Sequence, residues 1–278
     1  MSTRSASKFL PSSRSVSPPK KVSEQPWYFL GSMQEEAEVA AQTNNVQAME
    51  DMIKKNPNAK LDKLLAIATI YNSVPLVNHL IGKLTTHDLD CKKFTSVGDL
   101  MTTLLDLASQ KNNLDVAQII TENGANMKDD KPLTAAVREG HVDMVRLLLN
   151  NGTDIAGRGG WVKYKPLVAA ATKGHKEVVQ LLVESGADLN DGAPLAASAR
   201  KGHLEVAKLL MSSGADINFG QPLAEASREG HIDVAKHLMN EKADINHGNP
   251  LSAAAKKGHI EVARMLLKSM RGANAQFD

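Results

Sequence analysis

Five histidines follow a glycine at regular intervals: His141, His175, His203, His231 and His259. Histidine ligates metals and moves protons near neutral pH, so such a row invites a metal or acid–base site. The spacing argues against both. One histidine per unit of a helical stack puts neighbours roughly 10 Å apart, since packed helices lie at about 8–10 Å. Histidines that far apart cannot share one ion, and a structural role at a turn is the reading the spacing favours. Thr85-Thr86-His87-Asp88-Leu89-Asp90-Cys91 brings His, two Asp and Cys together. Their spacing matches no strong zinc pattern, and the segment reads as a surface loop. There is no glycine-rich phosphate loop, nucleophile elbow or His-Glu-x-x-His helix, and Gly157-Arg158-Gly159-Gly160 is only a turn. The expectation is a chain that is not an enzyme and needs neither cofactor nor metal.

Binding chemistry is better represented. Arg138, Arg200, Arg228 and Lys256 recur at one position of a repeated pattern, with Lys173, Lys201 and Lys257 beside them. Such a row complements helix C-termini as a solvated face. It also makes a stripe for an acidic protein segment or a phosphate-bearing ligand. Glu139 and Glu229 interrupt it, which disfavours nucleic acid. One turn earlier Ala135, Ala169, Ala197 and Ala253 would form a smooth floor, and Glu225 breaks that row as a candidate specificity residue. A second candidate is the link Ala156–Lys165, which carries Arg158, Trp161, Lys163 and Tyr164. Trp, Tyr and Arg dominate interface hot spots. Trp161 has two roles open to it, an exposed partner contact or a plug folded over a junction between repeats.

The elements that position these residues follow from a strict period. Pro-Leu opens a segment at Pro166 and again at Pro194, Pro222 and Pro250, every 28 residues, with an earlier copy at Pro132. A fixed period of this size marks a stacked repeat array. Gly140, Gly174, Gly202, Gly230 and Gly258 end the first helix of each unit, where a left-handed residue is needed. Asn44, Asn72 and Asn112 hold the equivalent place upstream, asparagine being the next type to tolerate that conformation. The turns at 44, 72, 112, 140, 174, 202, 230 and 258 are 28 apart except for steps of 40 and 34, which imply insertions of 12 and 6 residues. Eight repeats result. Proline suits the first helical turn. Val178, Val179, Leu181 and Leu182 form an apolar stripe on the second helix. Asp143, Glu177, Glu205, Asp233 and Glu261 sit near second-helix starts, as the macrodipole favours.

The wording of Pro166–Ala193, PLVAAATKGHKEVVQLLVESGADLNDGA, resembles the ankyrin repeat: Pro-Leu, an alanine-rich first helix, Gly-His, EVVQLL, then Gly-Ala-Asp-Leu-Asn. The resemblance implies an all-α solenoid of about eight helix-turn-helix units that binds a protein partner on its concave surface. It also implies that the histidines link repeats. Two departures stand out. A family unit of about 33 residues includes a β-hairpin finger, and the links Asn190–Pro194 and Asn218–Pro222 are too short for one. The family's Thr-Pro-Leu-His histidine is replaced by Thr134, Val168, Ala196, Ala224 and Ser252. In the C-terminal array the Ile155–Pro166 link is the one long enough for a full hairpin. In the last copy Met270-Arg271 replaces Gly-Ala, the pattern of a terminal cap.

The remaining organisation is read as a Ser/Pro/basic tail over 1–24, degenerate repeats over 25–130 and regular repeats with a C-terminal cap over 131–278. The tail has five cations and no acid through residue 23, a composition that cannot offset ordering entropy. A plain disordered tail, a targeting peptide and a docking motif are its three readings. Arg14-Ser15-Val16-Ser17-Pro18-Pro19 resembles the motif taken by 14-3-3 proteins, with Ser17 the candidate phosphosite. Trp27, Tyr28, Phe29 and Leu30 would cap the first repeat. Net charge is only +2, so neither nucleic-acid binding nor membrane coating is suggested. A single cysteine, Cys91, excludes an internal disulfide framework and favours a reducing home, the cytoplasm, nucleus or a host-cell cytosol. The uncharged run Leu64–Gly82 contains Asn72, Ser73, Pro75, Asn78 and His79, and is read as two short helices rather than a membrane span. A monomeric interaction module or scaffold is the main expectation. The alternatives are a regulatory subunit or inhibitor that masks an enzyme, and a host-directed effector of an intracellular microbe.

Overall fold

A computed structural model describes residues 32–57, 59–84, 94, 96–155 and 165–274. Sixteen helices and no strand lie among them. They form eight antiparallel pairs. The first helices are α1 (Ser32–Gln42), α3 (Leu61–Ile70), α5 (Val97–Lys111), α7 (Lys131–Glu139), α9 (Pro166–Lys173), α11 (Pro194–Lys201), α13 (Pro222–Glu229) and α15 (Pro250–Lys257). The second helices are α2 (Val46–Lys55), α4 (Val74–Lys83), α6 (Leu114–Glu122), α8 (Val142–Asn150), α10 (Lys176–Glu184), α12 (Leu204–Ser212), α14 (Ile232–Asn240) and α16 (Ile260–Asn274). Each first helix packs on the next first helix more closely than the second helices pack on one another. The stack therefore bends toward the first helices, and their open side is the concave face.

All eight expected turn residues adopt the left-handed conformation. Asn44, Asn72 and Asn112 have φ of 53°, 54° and 59°, and the five glycines lie between 75° and 80°. The glycine has a second duty. A Cβ on Gly202 would come within 2.6 Å of the His231 ring, and one on Gly140, Gly174 or Gly230 would meet the ring of His175, His203 or His259. The ring in turn reaches the previous repeat. His175 Nε2 lies 3.1 Å from the Arg138 carbonyl, His203 Nε2 3.1 Å from that of Thr172, and His231 Nε2 3.0 Å from that of Arg200. These carbonyls belong to the last turn of a helix, where no intrahelical donor remains. The histidine row is thus a chain of inter-repeat staples, the linking role that the resemblance implied.

The short links are turns, as their length requires. Asp188, Asp216 and Asp244 accept from the backbone N–H of Asn190, Asn218 and Asn246, each at 2.9 Å. Asn190 Oδ1 then accepts from Asp216 N, and Asn218 Oδ1 from Asp244 N, both at 2.9 Å. One loop is laced to the next without a hairpin. The first insertion partly lengthens α5, which runs 15 residues and is capped by Ser96 Oγ accepting from Asp99 N. Phe94, just before it, is buried in the core. Leu64–Gly82 is the two helices α3 and α4 around Asn72, and no described helix is long and apolar enough to cross a membrane. The core runs unbroken along the stack through residues such as Leu133, Leu148, Val178 and Leu182. α16 continues through Met270-Arg271 where other second helices stop, making 15 residues against nine in α14.

Gly202→Ala and Gly258→Ala separate the two duties of the turn glycine. Both force alanine into a left-handed φ, 75° and 77°, but only Gly202 faces a histidine ring; a Cβ at Gly258 meets nothing. Gly258→Ala should lose about 1–2 kcal/mol from backbone strain alone. Gly202→Ala should lose roughly 1 kcal/mol more, from the displaced ring and its hydrogen bond. Urea denaturation of both variants measures the difference, and equal losses would show that the ring contact contributes nothing.

Candidate partner-binding surface

The concave face is built from position-equivalent residues of the first helices. Leu133, Leu167, Leu195 and Leu223 turn into the core and are almost fully buried. That geometry sets the next residues toward the groove. Ala135 and Ala253 are half-buried there, and Ala169 and Ala197 are buried by their neighbours. The floor is small-residued across these four repeats. Arg138, Arg200 and Lys256 are exposed at its edge and Arg228 is half-buried. Lys173, Lys201 and Lys257 are exposed beside them. The structure therefore brings the sequence-derived cations onto one face.

Glu225 behaves differently from a free specificity residue. It is buried to 9% exposure, and its carboxylate holds two arginines. Arg200 Nε donates to Oε2 at 2.9 Å, from the preceding repeat. Arg228 Nη1 donates to Oε1 at 2.5 Å, from one turn along the same helix. The three side chains form a bridge between α11 and α13. The sequence carries the pattern as an i, i+3 pair plus a partner one repeat back, but the meeting of the three side chains depends on how α11 packs against α13.

A groove of about 720 Å³ opens between α5 and α7. Asp106, Gln110, Lys131, Thr134, Arg138 and Glu139 are among the residues lining it. Arg138 was anticipated at this face and Asp106 was not. Burial pushes the Asp106 carboxyl above the usual range; the hydrogen bond from Gln110 Nε2, 3.0 Å away, and the Lys131 charge pull the other way.

On the convex side, charges pair across repeats. Glu50 of α2 accepts from His79 and Lys83 of α4, and the Lys83 contact foremost holds its carboxyl below the usual range. Glu205 bridges Lys176 and Lys208. Arg138, Lys173, Lys201, Lys256 and Lys257 on the first helices have no ion-pair partner among the described residues, and neither do Arg146 and Lys236 on the second helices.

Several expected features lie outside the described residues: Arg158, Trp161, Lys163 and Tyr164 of the long link, His87 to Cys91, and the tail with Ser17 and Trp27 to Leu30. Among the described residues no three His, Cys, Asp or Glu gather as a metal site would.

Three variants test these electrostatics. Glu225→Ala places the residue that Ala197 and Ala253 supply elsewhere, and should change stability by no more than about 1 kcal/mol, since both arginines are substantially exposed. Arg200→Ala with Arg228→Ala instead leaves a buried carboxylate without counterions and should lose about 1–3 kcal/mol. Equal effects in denaturant titrations would contradict the bridge. Asp106 has a folded-state value above its unfolded one, so the native chain binds that proton more tightly and ionisation opposes folding. This penalty is absent below the ordinary Asp range of about 4 and develops as pH rises through the folded value. Asp106→Asn should therefore raise the melting temperature at neutral pH and give no gain in acid; a gain that persists in acid would refute the assignment.

Comparison with known proteins came to one family. Three copies of the ankyrin repeats family model match, over residues 38–159, 159–221 and 195–277. No curated protein matches the chain. The match spans nearly all of the stacked helix pairs, and the chain belongs to the ankyrin repeat family.

Proposed function

We propose that this chain is a non-catalytic module that takes a protein partner on the concave face of its first helices. Ankyrin repeats are in general protein–protein interaction modules. What supports the concave location is a row of first-helix cations beside a floor of alanines, of which Arg138, Lys173, Lys201, Lys256 and Lys257 have no ion-pair partner among the described residues. A rigid stack fixes such side chains in advance, which lowers the ordering cost of association. The reading needs no chemistry at the site, and selectivity comes from the placement of charge and the depth of the floor. The Arg158–Tyr164 segment, with Trp161, is proposed to add partner contacts.

Capture of partners by the full chain tests the location. Reversing Arg138 and Lys256 to glutamate should reduce recovery of the partner at least about tenfold, as losing charges matched across an interface does. Reversing Arg146 and Lys236, exposed on second helices, should leave recovery unchanged, as should removal of residues 1–23. If the convex variant lost the partner and the concave variant kept it, or if the tail alone captured every partner, the concave face would be the wrong site.

A further inference from the structure

We infer that the C-terminal half of the concave face is a register-reading site for an extended acidic protein segment whose carboxylates recur every third residue. The inference rests on the concave-face reading and adds a ligand class and a spacing to it.

Three cationic stations follow one another along the groove, Arg200 on α11, Arg228 on α13 and Lys256 on α15, at the same position of consecutive 28-residue units. Lys173, Lys201 and Lys257 flank them and are exposed. Two of the stations are fixed in place. Glu225 holds both guanidiniums, and the Arg200 backbone carbonyl is itself engaged by His231. A guanidinium has five N–H donors in a rigid fork. One contact each to Glu225 leaves most of them for a ligand, and the forks match carboxylates well. The triad keeps a net positive charge, because one carboxylate faces two arginines. Glu229 is the exposed acid alongside, in the position that Lys173, Lys201 and Lys257 hold in the other units.

The spacing follows from two lengths. First helices packed side by side advance by about 8–10 Å. An extended segment in the polyproline II conformation advances about 3.1 Å per residue and turns once every three residues, so every third side chain lies on one face. Three peptide residues therefore match one repeat, and a segment of the form Glu-x-x-Glu-x-x-Glu laid along the groove meets a cation at each acid. The residues between would face the row Ala197, Glu225 and Ala253. Contiguous acids would meet at most one station at a time.

The experiment is fluorescence anisotropy with the full chain and two labelled peptides of one composition, one with three glutamates spaced by two residues and one with the three contiguous. The spaced peptide should bind about tenfold more tightly, the combined effect of several exposed ion pairs, with an affinity that falls as salt rises. Lys256→Glu should abolish that advantage. The triple variant Arg200→Ala, Glu225→Ala, Arg228→Ala should do the same while remaining folded by circular dichroism, because it leaves no unpaired buried carboxylate. Equal affinity for the two peptides, or indifference to both variants, would overturn the register. Binding only when the glutamates are replaced by phosphoserine would overturn the carboxylate assignment. If neither peptide binds while partner capture still depends on Arg138 and Lys256, this inference fails and the broader concave-face reading stands.

Discussion

One backbone constraint underlies the whole array: each first helix must stop at a residue with positive φ and hand the chain to the second helix within two residues. The next repeat's side chain must also approach that same residue closely. Glycine meets both demands at once, which is why Gly140, Gly174, Gly202 and Gly230 lie under histidine rings. The upstream repeats keep the constraint and change the chemistry. Asn44, Asn72 and Asn112 supply the left-handed backbone. Asn113 takes the histidine's position, and its Nδ2 donates to the Thr69 carbonyl at 2.6 Å. Ser73, at the same position one repeat earlier, donates to Asn44 Oδ1 at 2.6 Å. Degenerate wording therefore conceals a junction whose purpose, serving polar groups at a helix end, is unchanged. A backbone carbonyl left bare there would carry a desolvation penalty in every repeat.

The same economy of length shapes the groove. With the turn fixed and the link reduced to a few residues, the loop cannot project as a finger. It is instead tied to its neighbour through the Asp-x-Asn side chains. First helices then come close, and only small residues fit on the side where they converge, hence Ala169 and Ala197. Glu225 is the exception that the packing tolerates because two arginines reach over it. Binding surface and fold are thus consequences of one distance, the separation of adjacent first helices.

Much of this was legible in the sequence. The left-handed position admits few residue types, so a search for Gly or Asn at a constant offset phased even the degenerate repeats. The alternation of buried leucine and surface cation followed from helical period alone. Other features left no such mark. Ala193 and Gln221 adopt φ of 58° and 62° just before proline, and neither residue type signals that conformation. The loop around them is tight: a Cβ on Gly220 would come within 2.3 Å of Ala193 Cβ. The groove at Asp106 was equally silent, because it arises between α5 and α7, where the insertion before α5 has disturbed the period. The Arg200–Glu225–Arg228 bridge lies between these cases. Its offsets were readable, but that Glu225 would be buried depended on the neighbouring helix.

The near-neutral net charge of the chain, +2, is compatible with a basic first-helix face because a row of acids, Asp143, Glu177, Glu205, Asp233 and Glu261, stands apart from it at the second-helix starts. Some convex cations meet second-helix acids: Lys83 and Lys176 reach Glu50 and Glu205 of neighbouring repeats, and Lys208 pairs with Glu205 on its own helix. Concave cations are attached to helix ends whose carbonyls carry partial negative charge, a favourable position that consumes little of their capacity to bind. Screening limits exposed charges to about 8–10 Å at moderate salt. That length is close to the helix spacing, so each station acts mainly on the ligand group directly over it. A row of cations repeated at the helix separation then distinguishes partners by where their acids fall rather than by how many they carry, which is what a rigid periodic scaffold can offer and a flexible basic tail cannot.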